Sequence, residues 1–372
     1  MFIEKWRQEI ITPEIVNLQG NHYEIGVQHG QQLAGVILDT VVPFVQNDMN
    51  ELGISPNQAE NIASDYEDLI GRRFPQILEE TRGIAEGAGI KYETALAVLF
   101  FWEIRDTVSH SFPECSSFVA AGEATDGNYV IASQNSDWPQ KMRNKNIGHT
   151  FRVEAKGKYR FIGRGLAGNL GRPSVIGFNE EGLTFVGSGI RQLEGAGFGF
   201  PPLTITRIGL EECATVEEFL NLVNSIPRWS HAGENVDVVD RDGNMARISF
   251  STNRTLFVQT KDHFLGSTNH YHNLEMRHFG PSNRDQYPSS FARYERLVEL
   301  LKGNYGDIDP EKAIDIMSDH KHGDKPPDGV KSICRHGTDT RTMTNVVLSP
   351  STGEFWISKG NPCERNYSKF SL

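Results

Sequence analysis

One thiol stands out by where it falls in the chain. Cys115 lies in "FPECSSFVAAG", residues 112–122, where a helix-patterned first third gives way to short β-branched and aromatic runs. Two small hydroxyl residues, Ser116 and Ser117, follow it at an expected strand start. A thiolate is a strong nucleophile, but a free thiol titrates near pH ~8.5 and needs a base at neutral pH. Further on, "SQNSDW" (Asn135, Asp137, Trp138) and "STNHY" (Asn269, His270) each end a strand-like run on polar side chains. Asparagine amides at strand ends suit the stabilisation of a developing oxyanion. Each feature also has a plainer reading. Free cysteine is often a buried packing residue, aspartate before a proline caps turns, and polar residues at strand ends satisfy local backbone.

These residues need elements to hold them. "EIVNLQG" reads as a short strand, and "HYEIGVQHGQQLAGVILDTVVPFVQNDMNEL" then carries apolar residues at helical spacing. "SPNQAENIASDYEDLIGRRF" and "PQILEETRGIAEGAGI" open with helix start signals, and "KYETALAVLFFWEIRD" is a fourth, apolar helix. From Cys115 onward, "SSFVAAG", "NYVIASQN", "HTFRVEA", "YRFIGRG", "SVIGFN" and "LTFVGSG" are strands between Gly- and Asn-bearing turns. "PPLTITRIGLEECATVEEFLNLVNSIP" predicts a helix pair, its second member capped by Thr215. "NVDVVDRDGNMARISFS" predicts a hairpin at Asp242-Gly243, and "TLFVQTKDHFLGSTNHY" more strand. Helices near 289–303 and 310–319 precede the last strands, "TMTNVVLSP" and "EFWISKG". Helices, then hairpins, then helices between further hairpins predict an α+β layered sandwich rather than a parallel βαβ sheet.

Composition narrows the function. Of 372 residues, 48 are acidic and 37 basic, a formal charge of −11 that opposes nucleic-acid binding. The same balance favours cationic or amine-bearing substrates. No phosphate-cradling glycine motif occurs. "MFIEKWRQEI" lacks the apolar core of a secretory signal, and "ALAVLFFW" is too short to span a bilayer. The expectation is a cytoplasmic protein with no membrane partner. Four cysteines without a C-x-x-C pair make no disulfide framework, so reduced thiols are expected.

Taken in order, "GNHYEIGVQHG", "ECSSF", "SQNSDW", "STNHY", "SICRH" and "TNVVLSPSTGEFWISKGNPC" resemble the acyl-CoA:6-aminopenicillanic-acid acyltransferase family, peptidase family C45 of the N-terminal nucleophile (Ntn) hydrolases. The resemblance covers nearly the whole chain. It implies a four-layer αββα sandwich and self-cleavage between Glu114 and Cys115. Residues 1–114 would be a helical, propeptide-like segment, and 115–372 the catalytic core. Cys115 would become an N-terminal nucleophile whose own α-amine, titrating near ~7.7–8.0, serves as base. By motif, Asp137 would hold that amine, Asn269 would donate to the oxyanion, and Arg335 of "SICRH", with Arg341 competing, would orient Asp137 or anchor a substrate carboxylate. The implied substrate is a linear non-peptide amide, with an acyl-CoA ester as an alternative acyl donor, and neither metal nor cofactor is required. Two positions depart from the family. Glu114 stands where glycine often precedes the nucleophile, and Ser136 where penicillin acyltransferases carry an aromatic residue.

Two other readings stay open: an unprocessed thiol hydrolase with a histidine base, and a catalytically silent member that binds a small acyl ligand. A homodimer is the default oligomer. "NHYHNLEMRH" (His270, His272) and "DHKHGD" (Asp319, His320, His322) match no established zinc spacing and read as solvated loop histidines. Cys213, Cys334 and Cys363 read as structural thiols. Gly26 and Gly30 lie one turn apart and predict close packing of the first helix on the sheet layer, with His29 a packing residue. "GAGFGF", 195–200, reads as a loop.

Overall fold

A computed structural model describes residues 15–108, 114–140, 145, 147–169, 176–190, 193, 197–226, 233–252, 254–321 and 331–372. Residues 195 and 196 of the glycine-rich loop, His322, and Phe112 and Pro113 lie outside them. The first described element, strand β1 (Ile15–Gly20), turns into α1 (His22–Gln32) through a capping box between Asn21 and Glu24. The single long helix expected next is interrupted. A short α2 (Ala34–Val36) leads into a π-helical turn, Ile37–Val41, before α3 (Val42–Glu51). Ser55 caps α4 (Pro56–Gly71) with Gln58 reaching back, and Gly89 ends α5 (Pro75–Ala88) in the left-handed conformation at φ 70°. The fourth expected helix divides at Phe100 into α6 (Tyr92–Leu99) and α7 (Phe101–Asp106).

Glycines set how α1 meets the rest, but not as the sequence suggests. Gly26 and Gly30 face α5, not a sheet. A Cβ on Gly26 would lie 2.0 Å from the Glu80 carbonyl oxygen, and one on Gly30 2.5 Å from that of Ile84. The seam is reciprocal: a Cβ on Gly83 or Gly87 would lie 2.2 Å from the carbonyl oxygen of Tyr23 or Val27. His29 on this helix is buried and accepts from the Gly168 amide at 2.8 Å, as a packing residue should.

The remaining elements alternate as expected. They are β2 (Glu114–Ala120), β3 (Ile131–Pro139), β4 (Gly148–Ala155), β5 (Phe161–Leu166), β6 (Ile176–Asn179), β7 (Thr184–Ile190), the helix pair α8 (Pro202–Glu212) and α9 (Val216–Asn224), and the hairpin β8 (Gly233–Val239) and β9 (Met245–Phe250). Then come β10 (Thr255–Gln259), β11 (Phe264–Ser267), α10 (Pro288–Gly303), α11 (Pro310–Met317), β12 (Thr340–Ser349) and β13 (Glu354–Ser358). A last strand, β14 (Tyr367–Ser371), has no counterpart in the sequence reading.

Two sheets result, ordered β1-β4-β5-β6-β7-β8-β9-β10 and β11-β2-β3-β12-β13-β14. Side-chain alternation along β2 fixes the layering. Val119 packs with Ile162 and Val186 between the sheets, whereas Phe118 and Ala120 join Leu297, Leu301 and Ile314 of α10 and α11. On the far side, Ile25 of α1 and Ile205 and Ile208 of α8 cover Phe151, Val153 and Phe185 of the larger sheet. The fold is therefore the four-layer αββα sandwich. β1, from the segment before Cys115, pairs in parallel with β4 and so completes an edge of a core sheet. No helix among the described residues is long and apolar enough to cross a membrane.

The glycine seam makes a sharp test. Gly83→Ala should cost roughly 1–3 kcal/mol in a urea unfolding titration, because its methyl meets backbone that cannot yield. Gly303→Ala, at the end of α10 with nothing within 4 Å of the added methyl, should leave the midpoint nearly unchanged. Equal midpoints for the two variants would remove the seam from the account.

Candidate active site

Cys115 and its neighbours sit at the start of β2, paired antiparallel with β3 so that Glu114 opposes Asp137 and Cys115 opposes Ser136. The alternation that layers the core also divides the site. Cys115, Gln134 and Ser136 face the larger sheet. Glu114, Ser116 and Asp137 face the helical layer.

On the inter-sheet face the thiol is buried. Gln134 Nε2 approaches its Sγ at 3.5 Å, while Gln134 Oε1 accepts from the Gly187 amide at 2.8 Å. Burial, with the charges of Asp137 and Glu234 adding to it, pushes the Cys115 thiol up to about 12, so it is neutral in the intact chain. Beside it lies Arg164 of β5, also buried, whose Nη1 meets Ser136 Oγ at 3.4 Å. No carboxylate among the described residues pairs with this guanidinium, and burial lowers it to about 10.

On the helical face, Arg293 of α10 is fully buried and gathers the backbone around the nucleophile. Its Nη1 donates to the Cys115 carbonyl at 2.5 Å and to Ser116 Oγ at 2.8 Å; its Nη2 donates to Glu114 Oε2 and to Asn269 Oδ1, both at 2.8 Å. Arg335 closes the cluster with Nη1 2.6 Å from the same Glu114 oxygen and 3.6 Å from Asp137 Oδ2. Burial works against the Glu114 charge, but Arg335, Arg293 and a hydrogen bond from Tyr287 together hold its carboxyl below the usual range.

Asn269 is oriented without ambiguity. Its Oδ1 receives the Cys115 N–H at 3.1 Å and Arg293, which can only donate, while its Nδ2 donates to the Gly189 carbonyl at 2.9 Å. Asp137 accepts from Thr342 Oγ1 at 2.7 Å on one oxygen, and its other, Oδ2, is buried with no hydrogen-bond partner in the structure. Burial outweighs the nearby arginines and raises Asp137 to about 6.

The four residues singled out by sequence (Cys115, Asp137, Asn269 and Arg335) thus converge, together with Glu114. Arg341 does not: it turns to Asn361 and to Glu364. Asn135 is a structural tie, donating to the carbonyls of Met317 and Ile333. The sequence reading of His270 and His272 as solvated is corrected. His270 is buried, stacked at 3.8 Å on Phe291 and bonded to Ser290 Oγ at 2.8 Å, and burial lowers it to about 3. His272 Nε2 accepts from the Thr268 amide. No histidine among the described residues hydrogen-bonds Cys115. Arg293, Arg164, Tyr287 and Thr342 were not anticipated, since none lies in a motif with spacing of its own, and Gln134 was passed over although it lies within "SQNSDW".

A family model described as acyl-coenzyme A:6-aminopenicillanic acid acyl-transferase matches residues 124–364, about two thirds of the chain. The chain belongs to that family. The match begins just after Cys115 and includes Asp137, Asn269, Arg293 and Arg335. Solved structures similar to this family member include the Caenorhabditis elegans ortholog of N-acylethanolamine-hydrolyzing acid amidase, at 16% identity and TM-score 0.45 over 63% of this chain and 93% of that one. Penicillin V acylase from Agrobacterium tumefaciens matches at 17% identity and TM-score 0.44, over 69% and 86%. A mutant conjugated bile acid hydrolase from Clostridium perfringens matches at 11% identity and TM-score 0.44, over 69% and 92%.

The clamp predicts strong coupling in this acyltransferase-family chain. In a Cys115→Ala background, Arg293→Met should destabilise the intact chain by about 3–5 kcal/mol, because Glu114 loses a buried counter-ion. Combining it with Glu114→Leu should cost at least ~1 kcal/mol less than the sum of the single changes, measured by urea titration. Additive effects would mean that the two side chains do not act together.

Proposed function

We propose that the protein is a self-processing cysteine amidohydrolase or acyltransferase that cuts its own Glu114–Cys115 bond and then works with Cys115 as N-terminal nucleophile. The observation that carries this reading is where the polar groups point. Asn269 Oδ1 is on the Cys115 nitrogen, and the Asp137 oxygen that accepts no hydrogen bond lies one residue away across the β2–β3 pair. A histidine-based thiol enzyme would aim its base at sulfur instead. A freed α-ammonium would give that oxygen the hydrogen-bond donor that Arg335, at 3.6 Å, does not supply.

The processing step balances as an N-to-S acyl shift. Cys115 Sγ adds to the Glu114 carbonyl carbon, the thiol proton passes to the Cys115 nitrogen, and the C–N bond breaks. A thioester to Glu114 and a free α-amine result. Water then cleaves the thioester, restoring the thiol and leaving a carboxyl at Glu114. Arg293 holds the Glu114 side chain and the Cys115 carbonyl, one on each side of the scissile bond. In turnover the α-amine takes the thiol proton and sulfur adds to the substrate amide carbonyl. The α-ammonium returns the proton to the departing amine as the C–N bond breaks, and the acyl group of the resulting thioester passes to water or to an amine, restoring the thiol. Residues 1–114 and 115–372 then remain as two chains held by the β1–β4 pairing. The four free thiols suit a reducing compartment such as the cytoplasm.

Arg164 supports a substrate class. A buried guanidinium without a carboxylate partner beside the nucleophile favours a linear amide bearing an anionic group, opposite to what net charge alone suggests.

Three outcomes are expected. Intact-mass spectrometry should find wild-type protein as two fragments divided at Glu114–Cys115 and Cys115→Ala whole; a wild type that stays whole after prolonged incubation would refute self-processing. Cleavage should slow as pH falls through about 6, where Asp137 takes up a proton and can no longer stabilise the amine that forms on the Cys115 nitrogen, and Asp137→Asn should cleave at least ten-fold more slowly; a flat profile would exclude that role. Arg164→Met should raise KM for carboxylate-bearing amides at least ten-fold and leave that for neutral amides nearly unchanged, whereas equal effects on both would discard the anionic class.

A further inference from the structure

Next to the candidate active site, but not part of it, four metal-ligating side chains from three separate places in the chain meet at one point. His320 follows α11. Cys334 and His336 flank Arg335 in the segment before β12. Cys363 lies in the single turn Pro362–Glu364 after β13. One ligand atom from each residue lies within 4.8 Å of every other. Cys334 Sγ is 3.7 Å from Cys363 Sγ, and His336 Nε2 is 3.5 Å from Cys334 Sγ, 3.4 Å from Cys363 Sγ and 3.1 Å from His320 Nε2.

Those separations match the edges of a tetrahedron. Bonds of ~2.3 Å to sulfur and ~2.0–2.1 Å to nitrogen at tetrahedral angles place sulfurs ~3.8 Å apart, sulfur and nitrogen ~3.6 Å, and nitrogens ~3.3 Å. Two thiols and two imidazoles brought this close have no mutual attraction large enough to gather them, and a shared cation supplies it. The outer groups fit too: Asn361 Nδ2 approaches Cys334 Sγ at 3.4 Å and donates to the Arg335 carbonyl at 2.9 Å, tying the ligand segment together.

We propose that His320, Cys334, His336 and Cys363 form a structural Zn²⁺ site. Two thiolates and two imidazoles select zinc over magnesium, calcium or manganese, and four protein ligands leave no open position for catalysis. Binding releases two protons, one from each thiol, and two thiolates neutralise the dication. The spacing, H-x13-C-x-H-x26-C, follows none of the usual zinc patterns, which is why sequence set His320, Cys334 and Cys363 aside as loop and core residues. The site corrects that reading. Its consequence concerns Arg335: with both sequence neighbours bound to one ion, this arginine is held where it meets Glu114 and Asp137.

The test uses the full chain, whether processed or not. Elemental analysis after gel filtration should give about one zinc per chain, and the Cys334→Ser/Cys363→Ser variant should keep less than about a tenth of that. Since that variant can fail to fold, the wild type is also exchanged with cobalt, which should show thiolate-to-cobalt charge transfer and tetrahedral d–d bands. Wild-type protein that holds no zinc after growth in zinc-supplemented medium, and gives only octahedral cobalt spectra, overturns the proposal. So does a Cys334–Cys363 disulfide in protein purified under reducing conditions.

Discussion

Two guanidiniums buried beneath a sheet govern how the start of β2 is built. A buried unpaired charge costs several kcal/mol, so Arg293 and Arg335 require anions that are fixed in place. Glu114 and Asp137 supply them from opposing positions of one β-pair, and the Cys115 carbonyl, Asn269 Oδ1 and the hydroxyls of Ser116 and Ser289 take the remaining donors of Arg293. Moving any of these groups would leave a charge or a donor unsatisfied. The peptide bond between Glu114 and Cys115 is therefore held from both ends by one side chain on α10. The strand start owes its geometry to electrostatics as much as to the ladder.

The alternation of β2 then separates two electrostatic environments across one residue step. Glu114 sits on the face with two arginines, and its carboxyl is held low. Cys115 faces the inter-sheet layer, where burial raises its thiol. A thiol so placed is inert toward outside reagents yet adjoins a carbonyl that cannot move away. Proximity of that kind replaces part of the intrinsic reactivity the neutral thiol lacks.

Much of this was legible in the sequence, for identifiable reasons. Most strands and helices carry their own periodicity and caps, as with Thr215 before α9 or Asp242-Gly243 between β8 and β9. The order of six short motifs sufficed to bring Cys115, Asp137, Asn269 and Arg335 together. What escaped was long-range. Gly26 and Gly30 announce close packing but not the partner, which is α5. β14 is short and half polar, a strand only because β13 leaves an edge for it. Arg293 looks like any cation on an amphipathic helix, and only the fold points it beneath β2. His320, Cys334, His336 and Cys363 are drawn from three places that no local window spans.

On the proposed reading, the departure at Glu114 has a charge logic that glycine would lack. Before cleavage, Arg293 and Arg335 are balanced by Glu114 and Asp137, and the buried cluster is neutral. Cleavage adds an α-ammonium next to Asp137. If the freed end at Glu114 then swings out of the cluster, three cations face one carboxylate, and the site gains a net positive charge in a region that water reaches poorly. Such a site would draw anions, as the proposed reading has Arg164 do on the other face. Glu114 thus serves the precursor as a built-in counter-ion, keeping two arginines folded in place until a substrate carboxylate can replace it. A glycine there would ease approach of the thiol but leave both guanidiniums to be neutralised by other means, at a cost the intact chain would bear in stability.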